Sequence, residues 1–230
     1  YFKHIGIYGY LANFGGNSIL KFDPNTNETS VVVKSNGWGD NDGGPGQAQF
    51  RGPVGLELTS NGDLFVSEFY GHRIRLITFD SEGNASYVQT IAGGRGGEQS
   101  GDEDGSFQDS TFRYPNSMLL DESKNLMYLT GNDFQGIRVL DFNTNQVSTI
   151  KLDEIYDTRG FFGITSDSSG NLYTGVGQRN SIAKVSFNAE GQPYFAGNIS
   201  PLDNDGNDLL NYPIELNIVN GVMYVSNFNS

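Results

Sequence analysis

The stretch Asp42-Gly43-Gly44-Pro45 … Phe50-Arg51-Gly52-Pro53-Val54-Gly55-Leu56 … Ser60-Asn61-Gly62-Asp63-Leu64-Phe65-Val66-Ser67 … Gly71-His72-Arg73-Ile74-Arg75 decides the fold. Its apolar runs are too short for helices and are cut by turn residues at each step. Residues 54–58 end at Ser60-Asn61-Gly62-Asp63, a strong hairpin signal, and 64–69 follow. A Tyr70-Gly71-His72 turn leads into 73–79, where charged and apolar residues alternate. Asp80-Ser81-Glu82-Gly83-Asn84 turns the chain again before 87–92. The unit therefore reads as four short antiparallel strands.

Working outward, the same unit recurs. Shifted by 62 positions, Asp42-Gly43, Phe50-Arg51, Pro53, Leu58 and Leu64 fall on Asp104-Gly105, Phe112-Arg113, Pro115, Leu120 and Leu126. Shifted by 108, Gly55, Ser60, Gly62, Leu64, Ile74 and Phe79 fall on Gly163, Ser168, Gly170, Leu172, Ile182 and Phe187. Leu216, Asn220-Gly221 and Met223-Tyr224-Val225-Ser226 start a further copy, and Tyr10-Leu11-Ala12-Asn13-Phe14 with Ser18-Ile19-Leu20-Lys21-Phe22 belongs to a partial one. Anchors at Tyr10, Phe65, Met127, Tyr173 and Tyr224 lie 55, 62, 46 and 51 residues apart. Four-stranded propeller blades recur at about 40–50 residues, so the longer spacings require inserted loops. The expected fold is an all-β propeller of about five antiparallel blade units. Their spans are 1–35 (partial), 42–92, 104–151, 160–197 and 205–230 (partial), in one domain or a segment of one.

The second unit resembles an NHL repeat nearly throughout: a DGG-P turn, an R-x-P-x-G-apolar first strand, G-D-L-F-V-S in the second, and G-x-H-R-I-R into the third. The third unit keeps Asp-Gly, F-R-x-P and Ile137-Arg138 but has Ser117 for the glycine. The fourth lacks the DGG-P turn. The resemblance implies a six-bladed ring of which this chain forms part. It does not imply one activity, because such propellers serve as binding, scaffolding, RNA-binding and enzymatic frames.

Composition narrows the options. The formal net charge of −13 repels polyanions, which makes nucleic acid and anionic membrane surfaces poor partners, and no nucleic acid is expected. No run of about 18 apolar residues is present, so no membrane insertion is expected. With no cysteine, thiolate metal sites and cysteine nucleophiles are excluded. Two histidines, His4 and His72, cannot form a three-histidine zinc centre. His72 is expected to serve the packing of the turn into the third strand. Amidating lyases on similar propellers use histidine metal ligands, and gluconolactonase-like enzymes use a Glu/Asn/Asp set in the channel. Neither set can be placed here residue by residue, and no catalytic residue is assigned.

Three acidic turns, Asp40-Asn41-Asp42-Gly43, Asp102-Glu103-Asp104-Gly105 and Asp203-Asn204-Asp205-Gly206, admit two readings: a rim of oxygen ligands for Ca²⁺, or the ordinary turn into a first strand. Trp38, Phe69, Tyr70, Phe134, Phe161, Phe162 and Phe228 fall in or beside loops, where they would either stack on a protein or glycan partner or cap blade ends. Sequons at Asn27, Asn84 and Asn198 are candidate glycosylation sites and point to an extracellular or cell-surface protein, periplasmic in a bacterium.

The functional expectation is a non-catalytic binding or structural module. Its rivals are a metal-dependent hydrolase or lyase at the channel, and a subunit of an extracellular filament. The filament reading rests on the ends: the second strand is read five times, the first, third and fourth about four times each. A spare terminal strand is expected to meet the rest of a longer chain or to pair with a neighbouring subunit.

Overall fold

The computed structural model describes residues 2–5, 8–34, 37–93, 99–152 and 160–228. The first unit is a four-stranded sheet of β1 (Phe2–Ile5), β2 (Tyr8–Asn13), β3 (Ser18–Asp23) and β4 (Glu28–Lys34). The second holds β5 (Pro53–Leu58), β6 (Leu64–Glu68), β7 (Arg73–Phe79) and β8 (Ala85–Gly93). In the third, the two-residue β9 (Gly105–Ser106) joins the outer edge of β10 (Pro115–Asp121), β11 (Leu126–Gly131), β12 (Gly136–Asp141) and β13 (Gln146–Lys151). The fourth holds β14 (Phe161–Ser166), β15 (Leu172–Val176), β16 (Ser181–Phe187) and β17 (Pro193–Ile199), and the fifth β18 (Pro213–Val219) and β19 (Val222–Asn227). All strand pairs are antiparallel, and within each blade consecutive strands are neighbours except β9, which pairs with β13. First strands of successive units lie against one another, β5 on β10, β10 on β14 and β14 on β18. This is a propeller of four-stranded blades. One expectation is corrected: β1 completes the first blade, so first strands, like second strands, occur five times among the described residues.

The core lies between blades. Leu64 and Val66 of β6 pack with Tyr10, Ile19 and Val33 of the first blade, while Phe65 between them packs with Phe112 and Met127 of the third. Both faces of an inner strand are thus buried, which is why β6 reads as a continuous apolar run rather than an alternating one. Each blade holds only its neighbours, so stability accrues blade by blade. The outer strands are half-solvated, and β17 alternates exposed and half-buried positions.

Local chemistry places the turns. In Asp80…Asn84, Asp167…Asn171 and Asp203…Asn207, the aspartate Oδ1 accepts the backbone N–H groups two and four residues on, and a glycine at the fourth position takes φ near +80°. First strands are bulged at their inner ends, between Pro53 and Leu56, Pro115 and Met118, Phe162 and Ile164, and Pro213 and Glu215. At the bulge Gly55 lies so close to the next blade that a Cβ would overlap the Asn116 carbonyl oxygen.

Candidate functional site

The acidic turns do two different jobs. Asp42 and Asp104 close a clasp in each of two blades. Gly43 pairs with Val88 on β8, and Gly105 pairs with Val147 on β13. Asp42 Oδ1 accepts from Arg75 Nη2 (2.8 Å) and Thr90 Oγ1 (2.9 Å), and Asp104 Oδ1 from Arg138 Nη2 (3.3 Å) and Thr149 Oγ1 (2.7 Å). Asp40 pairs with Arg51 (2.8 Å) and Arg73 (2.9 Å). These carboxylates therefore face arginines and a threonine hydroxyl. Asp102 stands in the corresponding turn of the third blade. Asp203 and Asp205, by contrast, belong to the D-x-x-G-N turn described above, so the third acidic triplet is no copy of the other two. Among the described residues, no group of three His, Asp or Glu side chains is placed to hold a metal.

His72 has the structural task expected of it. The Tyr114 N–H, opening the third blade, donates to His72 Nδ1 (3.2 Å). The same bond recurs from Gly52 N–H to Asn17 Oδ1 (2.9 Å) and from Tyr212 N–H to Asn180 Oδ1 (2.9 Å), which fastens the second, third and fifth blades each to the one before it. The acceptors Asn17, His72 and Asn180 all adopt left-handed backbone, as does the residue each one receives from. An accepting Nδ1 must be unprotonated. Burial, with Arg73, Arg113 and Arg51 nearby, accordingly holds His72 below the usual histidine range. An unfolded chain then takes up this proton first as the pH falls through about 6.5, so the folded state loses stability on acidification. His72→Asn, which supplies the acceptor used at the other two seams, is expected to keep the fold and remove this part of the acid sensitivity. Melting temperatures of both proteins at pH 7.5 and 5 measure it, and equal acid-induced drops would refute the assignment.

At the inner ends of the blades the first strands and the loops after the second strands enclose a cavity of about 1210 Å³. One side is formed by Phe14, Phe69 and Tyr70, with ring centroids 5.1–6.1 Å apart. Trp38 stacks on Tyr70 (5.6 Å) and Tyr114 on Phe69 (4.9 Å). The other side holds Phe162, Tyr212 and Phe228, at 5.3 and 6.0 Å. Among the described residues, Asn116, Asn132, Asn217, Ser117 and Thr165 also line the cavity, with Glu215 as the one carboxylate and no Lys, Arg or His.

Five of the seven candidate aromatics thus gather at one mouth. The other two do not: Phe134 and Phe161 are fully buried, Phe134 beside Phe112 and beneath Arg138, Phe161 in the core between the third and fourth blades. Phe14, Tyr114 and Tyr212 were missed. Phe14 and Phe228 follow their second strands as Phe69 does, in Ala12-Asn13-Phe14, Ser67-Glu68-Phe69 and Ser226-Asn227-Phe228, so the repeat itself held that signal. Of the sequon asparagines, Asn27 is an exposed turn residue, Asn84 is exposed with its amide on Asp80 and Glu82, and Asn198 is exposed on β17.

No family model matches the chain. It is 28% identical over 138 residues to NHL repeat-containing protein 2 of Gallus gallus, covering 59% of this chain and 18% of that protein. The Homo sapiens protein of the same name is 27% identical over 116 residues, covering 50% and 15%. The chain thus spans less than a fifth of these curated relatives. Among solved structures, a catalytically inactive virginiamycin B lyase from Staphylococcus aureus superposes with a TM-score of 0.59 at 14% identity, covering 99% of this chain and 69% of that one. A candidate 6-phosphogluconolactonase from Bacteroides uniformis gives 0.61 at 17%, covering 98% and 68%, and an extracellular domain from B. thetaiotaomicron 0.60 at 15%, covering 98% and 27%. At such identities the solved structures speak to fold alone. Together with the repeated blade geometry and the sequence relatives, they make this chain an NHL-type β-propeller.

Proposed function

We propose that the chain is a secreted or surface-displayed binding module that takes a protein or glycan partner at the aromatic mouth of its channel. The observation that carries this is the two aromatic clusters lining a cavity that has a single carboxylate among its described residues. Tyr70 and Phe14 remain 42% and 44% exposed there, and rings so placed cost a protein solubility unless something covers them. General acid–base chemistry wants two groups with opposed titration, and the described lining residues supply one carboxylate. A metal-dependent hydrolase or lyase is the rival reading, supported by Glu215 standing among the amides of Asn116, Asn132 and Asn217.

Trp38 is the chain's one tryptophan and lies one ring from the cavity, so its emission reports on the mouth. Arrays of glycans and of extracellular proteins, screened with wild type and Tyr70→Ala, are expected to yield binders that shift Trp38 emission in wild type and are lost in the variant. Elemental analysis accompanies the screen. A stoichiometric metal, with ester or lactone turnover abolished by Glu215→Gln, would overturn the non-catalytic reading.

A further inference from the structure

From the chemistry of the mouth we infer that its ligand is a neutral oligosaccharide; the assignment rests on the binding reading above and narrows it. The two walls offer flat apolar surface, and the floor between them offers uncharged amides and hydroxyls. Asn132 and Asn217 are exposed, and Asn116 Nδ2 lies 3.5 Å from Asn132 Oδ1. A pyranose ring has the matching two-sided character. Its C–H face stacks on an aromatic ring, and the hydroxyls around its edge exchange hydrogen bonds with amides that both donate and accept.

Other classes fit less well. Phosphorylated, sulfated or uronate polymers meet no cation among the described lining residues and a chain of net charge −13. A wholly apolar ligand would strip water from three amides and return no hydrogen bond. A peptide added as a strand would need free backbone groups along the first strands. At the bulges several are already taken: Ser67 Oγ donates to the Asn116 carbonyl (2.7 Å), Thr130 Oγ1 to Ser117 (3.5 Å) and Thr174 Oγ1 to Phe162 (3.3 Å). Recognition is left to side chains. The cavity's size, above the usual 300–1,000 Å³ of small-molecule pockets, suits several linked rings rather than one.

A second observation points the same way. The residue just before a first strand adopts left-handed backbone, which glycine takes without strain, and Gly52 (φ +62°) and Gly160 (φ +106°) stand there in two blades. In the other two, Tyr114 (φ +51°) and Tyr212 (φ +58°) hold the same conformation against their own preference. The strain sets one ring against Phe69 and the other in the cavity wall.

The test titrates the chain with cellohexaose, xylohexaose, mannohexaose, maltohexaose and chitohexaose, and with oligogalacturonate as the charged counterpart. Calorimetry and Trp38 emission are the readouts. At least one neutral hexasaccharide is expected to bind, with little change between 50 and 500 mM salt. Tyr70→Ala and Asn132→Ala should each weaken it about tenfold; the melting temperature is expected to stay put in Asn132→Ala, at an exposed position, and to fall in Tyr70→Ala, whose melt must still lie well above the titration temperature. Silence from every neutral sugar, preference for oligogalacturonate, or binding indifferent to both variants would overturn the glycan assignment. If the sugars are silent but an arrayed protein binds wild type and not Tyr70→Ala, the glycan class falls and the binding module stands.

Discussion

Arg75→Ala is expected to cost roughly 3–5 kcal/mol at neutral pH, the usual penalty for stranding one member of a buried ion pair. The guanidinium is fully buried and donates to Glu68 Oε1 (2.6 Å), the Gln49 and Asn41 carbonyls (2.8 and 3.0 Å) and Asp42 Oδ1 (2.8 Å). Its removal leaves Glu68, also fully buried, with Arg73 at 3.5 Å as its remaining cation. Burial already pushes the Glu68 carboxyl up to about 7 against the pull of both arginines, and without Arg75 it rises further. A raised folded pKa means the unfolded chain, with its carboxyl near 4.5, releases the proton first, so stability from this group is lost as pH climbs from there. The Arg75→Ala deficit should therefore be larger at pH 8 than at pH 5. Arg138→Ala is the control, because Gly131 stands where the third blade would hold a Glu68, and no buried carboxylate is stranded. Urea unfolding at both pH values measures the two deficits. Parallel behaviour of the two variants would show that Glu68 plays no part.

Leu64→Ala and Leu172→Ala are each expected to cost about 2–5 kcal/mol, since both side chains are 0–2% exposed between blades. Leu126, the residue 62 positions after Leu64, should cost less than about 1.5 kcal/mol, and Met127→Ala should take its place. The pairing shows why. Leu64 pairs with Leu58 and Ile77, whereas Leu126 pairs with Asp121 and Asp141, and Met127 with Leu120 and Leu140. Five residues separate the paired Leu58 and Leu64 but six separate the paired Leu120 and Met127, with Asn125 at φ +54°, and one residue reverses the face of a strand. Met127 is fully buried and Leu126 half-buried. Thermal melts of the four alanine variants rank them, and a Leu126 loss equal to that of Leu64 would contradict this register.

The sequence by itself determined the four-stranded unit, its repetition and the net charge of −13, because turn residues, strand propensity and charge act locally or additively. Asn61-Gly62, Asp80…Asn84 and Asp167…Asn171 form their turns from neighbours a few residues away, so a reading along the chain finds them. The one-residue slip at Leu126 escaped that reading, since an ungapped alignment cannot see which face of a sheet a residue takes. The acidic turns show the same divide. Asp42 and Asp205 stand third in identical Asp-Asn-Asp-Gly tetrapeptides, yet Asp42 meets Arg75 and Thr90 from strands more than thirty residues on, and Asp205 lies in a loop capped locally by Asp203. The aromatic residues were sorted likewise: Phe134 and Phe161 went to the core, while Phe14, Tyr70, Tyr212 and Phe228 came together at one mouth. Which loops converge there depends on how successive blades stack around the channel. That stacking is set by burial between sheets far apart in sequence, which no local pattern encodes.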